Sequence, residues 1–506
     1  MKRPFSAYDH LPGNIDSVAG VRELDRLIIQ RMGDNGYQLM RQAGEAAFQC
    51  LRERWPEARH ICILAGAGNN GGDGWVIAAL AIEQGLTVSV LTLGDITRQS
   101  PSATDARHMA ESAGVVAGEF DGNLPADADL LIDGLLGTGL NAVVQGEFAE
   151  AIDAMNAHQA PVFALDIPSG LNASSGMVMG HAVQADATIT FIGIKPGLLT
   201  CDGPDYGGEL YYAGLGLTDA QRQAVPVLAQ RVSYHSLTQN GSLLPSRHGN
   251  SNKGNHGHAL LVGGETGFGG AIAMAVDACC RTGAGLTSCA TRPANVSVVL
   301  ARRPECMAAA INAGLEMQPL MEKASVLACG PGLGRSSWAE LLLQQVLQSD
   351  YPVVLDADAL NIIASPGWQT EFPERDVVMT PHPGEAARLL DKSVADIQSD
   401  RLGAAQAIAD KYHAVVILKG QGSIIASPEG ELAICTDGNP GMATGGMGDV
   451  LTGVIAGLLS QGLTPWEAAL RGTCLHSAAA DLAASESGTR GLLATDLMPY
   501  IRQLVN

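Results

Sequence analysis

Aromatic residues are scarce in this chain, and no segment concentrates lysine and arginine. Phe, Trp and Tyr together make up 4% of the 506 residues, which argues against the aromatic platforms that stack on single-stranded nucleic acid. The formal net charge is −21, so we expect neither a nucleic-acid nor a membrane partner. An acidic chain can still hold a phosphorylated ligand locally, through backbone N–H groups at helix N-termini.

Cysteine pairs and long apolar runs are also missing. The ten cysteines show no C-x-x-C pair and no regular spacing, which indicates reduced, mostly buried thiols rather than a disulfide framework or a zinc site. The two basic residues near the start have no apolar stretch behind them, unlike a signal peptide. No run of about 18 apolar residues marks a membrane span. These features predict a cytoplasmic protein.

What the chain does have is length, glycine and a regular alternation. A chain of 506 residues is too long for a single hydrophobic core, so we expect more than one domain. Its 61 glycines suit the many tight turns of an α/β enzyme. After two helical patterns, short runs such as "RHICILAG", "ADLLIDGLLG" and "PVFALDIPSG" alternate with helix-length segments. Strands that are apolar almost throughout predict a parallel sheet covered on both faces. The first half therefore reads as a Rossmann-like three-layer sandwich.

This alternation stops after "KPGLL" and begins again beyond a polar, Gly- and Asn-rich stretch at about residues 237–257. The second series includes "HALLVGG", "ASVLACGPGLG", "YPVVLDADAL" and "AVVILKGQGS", followed by helical segments. The two halves share a class but no motifs. We therefore predict two unlike α/β domains, residues 1–230 and 231–506.

The first candidate site is the segment "ICILAGAGNNGGDGWVIAALA", in which Gly66, Gly68 and Gly71 spell G-x-G-x-x-G. A strand, a glycine turn and a helix in this order favour phosphate binding at the helix start, although the motif alone also fits a plain tight turn. A redox Rossmann domain needs an acidic residue about 20 positions further on to bind the ribose. Here Asp95 comes late and follows a glycine, which weakens a hydride-transfer function.

Two later loops follow strand ends, where open α/β sheets bind ligands. One carries Asp133 and the small residues after it, and the other carries Asp166 and Ser169. Oxygen atoms of Asn70, Asp133 and Ser169 together suit a hard cation, whereas each taken singly suits a turn. Asp166 fits an acid/base or a ribose ligand about as well as a structural role.

In this order, "GNNGGDG", "DGLLGTGL" and "DIPSGL" resemble the epimerase domain of the NAD(P)H-hydrate repair enzymes, over about residues 15–215. The resemblance implies that Asp166 contacts the substrate near its reacting ring and that Asn70, Asp133 and Ser169 bind K⁺. It also implies that two segments hold the hydrated dinucleotide: Asn69, Asn70, Gly71, Gly72 and Asp73, and then Gly137, Thr138, Gly139, Leu140, Asn141, Ala142 and Val143.

The second candidate site is "GNPGMATGGMGDVLTG", a glycine-rich loop that runs into an apolar helix with Asp449 in its first turn. A carboxylate there can take a proton from a hydroxyl during phosphoryl transfer, or can merely complement the helix dipole. The loop is not a Walker A motif, because the chain contains no Gly-Lys pair.

Other polar residues follow strands of this half. His382 lies between two prolines in a loop that we expect to face the cleft, and Lys419 follows a buried strand from which it could reach a phosphate. Asp356 and Asp358 either organise Mg²⁺ or cap the next helix at Asn361. A structural histidine and a surface lysine are the alternatives for the first two.

Jointly, "TPHPGE", "GPGLG" and "GMGD" resemble the ribokinase-like fold, and within it the ADP-dependent NAD(P)H-hydrate dehydratase domain, over about residues 245–500. The resemblance implies ADP as co-substrate with Mg²⁺. Ala271, Gly332, His382 and Asp449 would then contact the hydrated dinucleotide. The adenine nucleotide would be held by Lys419, Gly420, Gln421, Gly422, Ser423 and Gly448.

The two resemblances together imply repair of hydrated NADH and NADPH (NADHX and NADPHX). The first domain would interconvert the R and S epimers, and the second would dehydrate the S epimer with ADP through a transient phosphoester, giving AMP and phosphate. Family analogy implies a homo-oligomer. The alternatives are a ribokinase-like small-molecule kinase fused to a dinucleotide-binding or scaffold domain, and a nicotinamide dehydrogenase.

Overall fold

The computed structural model describes residues 8–239, 241–368 and 375–506. The chain forms two compact units, one of His10–Gln230 and the other of Arg231–Asn506 together with Tyr8 and Asp9. Both units are α/β, as the sequence predicts. Among the described residues, no helix combines the length and the apolar character that crossing a bilayer requires.

The N-terminal unit is built on a parallel sheet. The unit's sheet has seven strands, β2 (His60–Ala65), β3 (Thr87–Thr92), β4 (Ala117–Glu119), β5 (Leu130–Gly134), β6 (Val162–Leu165), β7 (Ala187–Phe191) and β8 (Glu209–Ala213), whereas the short strands β1 (Asn14–Ile15) and β9 (Ala229–Val232) pair antiparallel with each other outside it. Its helices are α1 (Val18–Met32), α2 (Tyr37–Arg54), α3 (Asn69–Glu83), α4 (Pro101–Ser112), α5 (Glu147–Ala157), α6 (Gly203–Gly207) and α7 (Asp219–Gln223).

The parallel strands run in the order β4-β3-β2-β5-β6-β7-β8. Strand β2 is buried on both faces, because Ile61 and Ile63 enter one apolar core while Cys62 and Leu64 enter another. The prediction of a covered parallel sheet is confirmed. The alternation also continues beyond "KPGLL", since β8 follows there, which the sequence interpretation missed.

The C-terminal unit has a larger mixed sheet. Its strands are β10 (His258–Val262), β11 (Leu286–Thr291), β12 (Met307–Ala310), β13 (Val326–Cys329), β14 (Val353–Leu355), β15 (Val377–Met379), β16 (Val415–Leu418), β17 (Ser423–Ala426) and β18 (Leu432–Cys435). Their order is β18-β17-β16-β15-β14-β13-β10-β11-β12, and only β17 and β18 are antiparallel to their neighbours within this order.

Helices cover this sheet on the way from strand to strand. They are α8 (Tyr234–Thr238), α9 (Gly269–Thr282), α10 (Pro293–Arg302), α11 (Gln318–Met321), α12 (Ser337–Leu347), α13 (Ala357–Ile363), α14 (Pro383–Leu390), α15 (Val394–Ser399), α16 (Arg401–Tyr412), α17 (Met447–Ser460), α18 (Pro465–Ser487) and α19 (Met498–Leu504). The apolar helix α17 packs against both α9 and α18, so that its N-terminus is held by a continuous core.

All ten cysteines are free, and seven of them are buried, in agreement with the prediction of mostly buried thiols.

Candidate active sites

The glycine motif of the N-terminal unit serves close packing. Helix α3 begins at Asn69, so "NNGGDG" occupies its first turns rather than a loop. A Cβ on Gly71 would lie 2.0 Å from the carbonyl oxygen of Gly66, and one on Gly72 would lie 2.5 Å from the sulfur of Met40. Only glycine lets the helix approach the strand end and α2 this closely.

A cavity of about 650 Å³ opens beside this helix start. Among the residues that line it are many of the predicted ones: Asn69, Asn70, Asp73, Gly137, Thr138, Gly139, Leu140, Asn141, Ala142 and Asp166. Gly71, Gly72 and Val143 do not line it, since the two glycines pack inward and Val143 is exposed to solvent. The three loops that the sequence singled out therefore meet at one cavity.

Asp166 is held in this cavity by a lysine that sequence reasoning missed. Its backbone adopts a left-handed conformation (φ +64°), directly after β6. Its Oδ1 accepts hydrogen bonds from the ammonium group of Lys195, from the hydroxyl of Thr190 (3.3 Å) and from the N–H of Phe191 (3.3 Å). Among the described residues, nothing bonds to Oδ2. One oxygen is thus anchored and the other is left for a ligand.

Lys195 is completely buried, and its three ammonium protons all have acceptors: Asp166 Oδ1, Thr190 Oγ1 (2.9 Å) and the carbonyl oxygen of Phe191 (3.1 Å). A buried ammonium group requires this complete pairing. Lys195 therefore acts on a ligand through Asp166 rather than directly. The only sequence signal was a lysine in the otherwise apolar stretch "FIGIKPGLL".

Two further carboxyl groups line the same cavity, Asp25 on α1 and Asp73 on α3. Burial, with the charge of Asp166, raises the pKa of Asp73 well above its usual value. Burial also raises the pKa of Asp25 to about 6, although Lys195 opposes the shift. The cavity thus combines a lysine-paired carboxylate with carboxyl groups that favour the protonated form, a combination typical of acid/base chemistry. Asp25 was also missed from the sequence.

Asn70, Asp133 and Ser169 come together beside the cavity. The Ser169 hydroxyl donates to Asp133 Oδ1 (2.5 Å) and its N–H donates to Asp133 Oδ2 (2.7 Å). Asn70 donates through Nδ2 to the carbonyl oxygen of Leu136 (3.0 Å), whereas its Oδ1 is buried without a hydrogen-bond partner in the described part of the chain. Burial raises the pKa of the Asp133 carboxyl to about 6. A buried oxygen without a hydrogen-bond partner, near a buried carboxyl, is a suitable ligand for a cation.

In the C-terminal unit, Asp449 lies in the first turn of α17. Gly446 caps this helix in a left-handed conformation (φ +95°), where a Cβ would lie 2.6 Å from the Met274 side chain. Burial, with the charges of Asp356 and Asp358, raises the pKa of Asp449 to about 7, while Lys419 opposes the shift. A carboxyl with this pKa is matched to a general base at neutral pH.

Lys419 follows β16, as predicted, and reaches the start of α17. Its ammonium group donates to Asp356 Oδ1 (2.8 Å) and lies 3.9 Å from Glu385. Burial alone would lower the pKa of Lys419, but these carboxylates outweigh it and raise the pKa. A Cβ on Gly448 would lie 3.2 Å from this ammonium group, so the lysine and the glycine loop are neighbours.

Asp356 is the N-cap residue of α13, the helix that contains Asn361, but its side chain makes no capping hydrogen bond there. The oxygens of Asp356 accept from Lys419 and from the Thr452 hydroxyl (2.8 Å), and Asp356 is buried. Asp358 accepts from the N–H of Gly334 (2.8 Å). The capping prediction is therefore confirmed for the position of Asp356, while the side chains of Asp356 and Asp358 bond to residues outside α13.

The segment Lys419–Ser423 forms a tight turn between β16 and β17. Gly420 and Gly422 both have positive φ, +140° and +63°. The buried Arg401 holds the turn by donating to the carbonyl oxygen of Gly422 (3.1 Å). A Cβ on Gly420 would lie 2.5 Å from that guanidinium group, so glycine is required there. Arg401 was not foreseen.

His382 lies in a loop, as predicted, and is the N-cap residue of α14. Its Nδ1 accepts from the N–H of Gly384 (2.9 Å), and its Nε2 lies 3.4 Å from Glu385. Burial, with the charges of Lys419 and Arg388, lowers the pKa of His382. A neutral ring therefore caps the helix while half of the side chain stays exposed near Lys419.

Ala271 and Gly332 also meet, since a Cβ on Gly332 would lie 3.1 Å from that of Ala271. By contrast, a cavity of about 1100 Å³ in this unit is lined by the segment from Ser242 to His256 and by residues of α9, α18 and α19. None of the predicted dehydratase residues lines it, so this cavity lies apart from Asp449.

Comparison with known proteins follows the same division. Residues 36–197 match the family described as YjeF-related protein N-terminus, and residues 259–503 match the family described as NAD(P)H-hydrate dehydratase. The bifunctional NAD(P)H-hydrate repair enzyme of Coxiella burnetii is 45% identical and covers 96% of this chain and 98% of its own length. The bifunctional NAD(P)H-hydrate repair enzyme of Escherichia coli is 42% identical and covers 100% of this chain and 96% of its own length.

A solved structure is similar to the C-terminal half, that of an ADP/ATP-dependent NAD(P)H-hydrate dehydratase from Bacillus subtilis co-crystallized with ATP/Mg²⁺. It is 30% identical, covers 53% of this chain and 96% of its own, and gives a TM-score of 0.47.

Proposed function

The chain belongs to the family of bifunctional NAD(P)H-hydrate repair enzymes, and on that premise we propose how its two units divide the repair. It is a bifunctional repair enzyme with an epimerase and a dehydratase activity. We assign epimerisation to His10–Gln230 and dehydration to Arg231–Asn506. One observation carries this division: each unit places a carboxylate beside a lysine near a glycine-rich helix start, Asp166 with the buried Lys195 and Asp449 with the partly exposed Lys419.

The substrate explains why two sites are needed. Hydration of the nicotinamide ring at C6 leaves a hydroxyl group of either configuration. A dehydratase that accepts only the S epimer leaves the R epimer unrepaired. An epimerase on the same chain returns that epimer to the usable form.

In the N-terminal unit, epimerisation proceeds by loss and return of the C6 hydroxyl. The hydroxyl leaves as water after it takes a proton, and the electron pair of the ring nitrogen stabilises the ring cation. Water then adds to the opposite face and gives up a proton. We assign Asp166 Oδ2 as the base for that proton, because Oδ1 is anchored and Oδ2 is free. Asp73, whose pKa burial raises well above its usual value, is the acid.

The residues beside this cavity fit a potassium ion. The buried Oδ1 of Asn70 has no partner among the described residues, and Asp133 and Ser169 supply further oxygens. Such a donor set of amide, carboxylate and hydroxyl oxygens suits a hard cation. When bound, K⁺ would order the loops after β5 and β6 and offset the charge of the dinucleotide phosphates.

In the C-terminal unit, Asp449 is the general base for phosphorylation of the C6 hydroxyl. The hydroxyl oxygen attacks the β-phosphorus of ADP, the bond to AMP breaks, and the hydroxyl proton passes to Asp449. Phosphate then leaves C6 while a proton leaves the neighbouring ring carbon, which restores NADH or NADPH. Phosphorylation is needed because hydroxide is a poor leaving group. N–H groups at the Gly446–Gly448 helix start stabilise the transferring phosphoryl group.

The adenine nucleotide is assigned to the turn Lys419–Ser423 together with Gly448. Its positive-φ glycines and the nearby ammonium group of Lys419 suit phosphate binding. Asp356 accepts one hydrogen bond at each carboxylate oxygen, so both oxygens keep a lone pair for Mg²⁺. Mg²⁺ would supply charge neutralisation to the ADP phosphates.

We further infer a cytoplasmic location, which the ten free cysteines support, and a homo-oligomer by family analogy. Incubation of one purified NADHX epimer without nucleotide tests the division of labour. The wild type should produce the other epimer and no NADH. Asp166→Asn should produce neither the other epimer nor NADH. Formation of the second epimer at equal rates by Asp166→Asn would overturn the assignment to the N-terminal unit.

A further inference from the structure

Two buried thiols meet in the C-terminal unit, away from the residues assigned to the reaction. Cys435 is the last residue of β18, and Cys474 lies in α18. Their sulfur atoms are 3.6 Å apart, and both side chains are buried. Asp437 follows two residues after Cys435, and one of its carboxylate oxygens and the two sulfurs all lie within 4.8 Å of one another.

The spacing of the sulfurs distinguishes between two uses of such a pair. A disulfide needs about 2.05 Å between sulfur atoms, so the thiols would have to approach each other by about 1.5 Å. Two thiolates on one tetrahedral Zn²⁺ lie about 3.8 Å apart, given a Zn–S distance of about 2.3 Å. The observed 3.6 Å, which is the distance of an S–H···S contact, is also within about 0.2 Å of the spacing on a shared metal ion.

The charges around the cluster also suit a divalent cation. Two thiolates, one carboxylate and a doubly charged ion leave a net charge of −1. The nearly buried Arg231 interacts electrostatically with both Cys474 and Asp437, and offsets that charge. A carboxylate oxygen of Asp9 lies 3.9 Å from the guanidinium group of Arg231. The same carboxylate also accepts a hydrogen bond from the Ser233 hydroxyl (2.7 Å).

We propose that Cys435, Asp437 and Cys474 form a structural site for a thiophilic divalent cation of the Zn²⁺ class. The ion would tie β18 to α18. Helix α18 packs against the catalytic helix α17, and His476, two residues after Cys474, bonds to the backbone of Met447 at the start of α17. The site braces the helix that carries Asp449 without contacting the reactants. Sequence inspection missed it, because a C-x-D pair and a distant cysteine resemble no metal motif.

Cobalt titration of the reduced, metal-stripped full chain tests this proposal. One equivalent of Co²⁺ should give the visible absorption of tetrahedral cobalt with thiolate ligands, and Zn²⁺ should abolish it by displacement. Cys474→Ser and Asp437→Asn should each weaken Co²⁺ binding by more than the roughly 10–100-fold that loss of an outer-shell partner costs. Cys62→Ser, which removes an isolated buried thiol from the other unit, is the matched control and should leave the spectrum unchanged.

Circular dichroism shows whether each variant folds. If Cys474→Ser fails to fold, Asp437→Asn still tests the proposal, because it preserves the side-chain volume. Three results would overturn the proposal: no cobalt–thiolate absorption in the wild type, the same absorption in folded Cys474→Ser, or a Cys435–Cys474 disulfide in the air-exposed chain combined with no metal uptake by the reduced chain. The last would identify the pair as a redox couple instead.

Discussion

The ammonium group of Lys195 lies against a single oxygen of Asp166, and the hydroxyl of Thr190 and the N–H of Phe191 bond to the same oxygen. The second oxygen has no bond among the described residues, and Asp166 lines the cavity. A carboxylate held in this way presents one base atom in one orientation. Because Lys195 is fully buried and fully bonded, its contribution is to position Asp166 and to keep its charge balanced.

Lys195→Met should therefore lower the epimerase kcat, by roughly the 10²–10⁴-fold that a positioned acid/base group contributes, with little change in KM. Lys195→Arg should restore part of the rate. Thr190→Val removes one neutral donor while the charge pair remains, so it should cost only a few-fold. Rates from a single NADHX epimer measure all three variants. An unchanged kcat in folded Lys195→Met would contradict the positioning role.

Asp449→Asn should lower dehydration by roughly 10²–10⁴-fold and leave epimerisation unchanged. It should also alter stability in a pH-dependent way. Burial raises the pKa of Asp449 to about 7 in the folded state, so the wild type loses stability as the pH rises from about 4 to about 7. Asn does not titrate. The variant should therefore gain stability relative to the wild type between pH 5 and pH 8.

Urea denaturation at pH 5 and at pH 8 measures this gain in the free energy of unfolding. The relevant unfolding transition is the one whose midpoint moves when ADP is added. Equal differences between variant and wild type at pH 5 and pH 8 would show that Asp449 is not protonated in the folded state.

The dehydratase should follow the ionisation of the same carboxyl. A general base must be deprotonated, so kcat/KM should rise about tenfold per pH unit below about pH 7 and level off above it. The measurement is the return of NADH from the S epimer with ADP across pH 5–9. A flat profile through pH 7 would exclude Asp449 as the base.

The potassium assignment predicts a selective loss of ion dependence. Asn70→Leu removes the buried, unpartnered Oδ1 at similar volume, so epimerisation should lose its activation by K⁺. Asn141→Leu is the matched control, because Asn141 lines the same cavity outside the cation cluster. It should raise KM and keep the K⁺ half-saturation. Rates over a K⁺ series decide between these outcomes, and undiminished K⁺ activation in Asn70→Leu would refute the site.

The nucleotide turn depends on glycine at position 420. Gly420→Ala would place a methyl group 2.5 Å from the Arg401 guanidinium and force a residue with a Cβ to adopt φ +140°. The KM for ADP should rise about tenfold or more. Gly430→Ala, with φ +90° and open space around it, carries backbone strain alone and should leave that KM unchanged. Equal KM values in both variants would place the nucleotide elsewhere.

Local patterns made much of the fold predictable. Apolar runs identified β2 and β5, and the glycine loop before an apolar helix identified the start of α17 and Asp449. The exposed edge strand β4 ("AGE") and the strand β8 were missed, because neither is an apolar run bounded by turn residues. Apolarity at every position is a signal only for strands buried on both faces.

The site was predictable only where its residues lie in motifs. Asp166 and Asp133 follow strands, and parallel strands bring such ends to one edge. Lys195 and Asp25 lie outside the motifs, and only the tertiary structure brings them to Asp166. The capping role of His382 was not predicted for a related reason: a histidine before proline gives no sign that its ring will cap the helix that the proline begins.

Recovery of NADH from a chemically hydrated mixture of both epimers tests the central claim most directly. With K⁺, Mg²⁺ and ADP, the wild type should return all of the NADH and release an equal amount of AMP. Asp166→Asn should stop near the share of the S epimer, after correction for epimerisation without enzyme. No recovery by the wild type with either ADP or ATP would contradict the repair function.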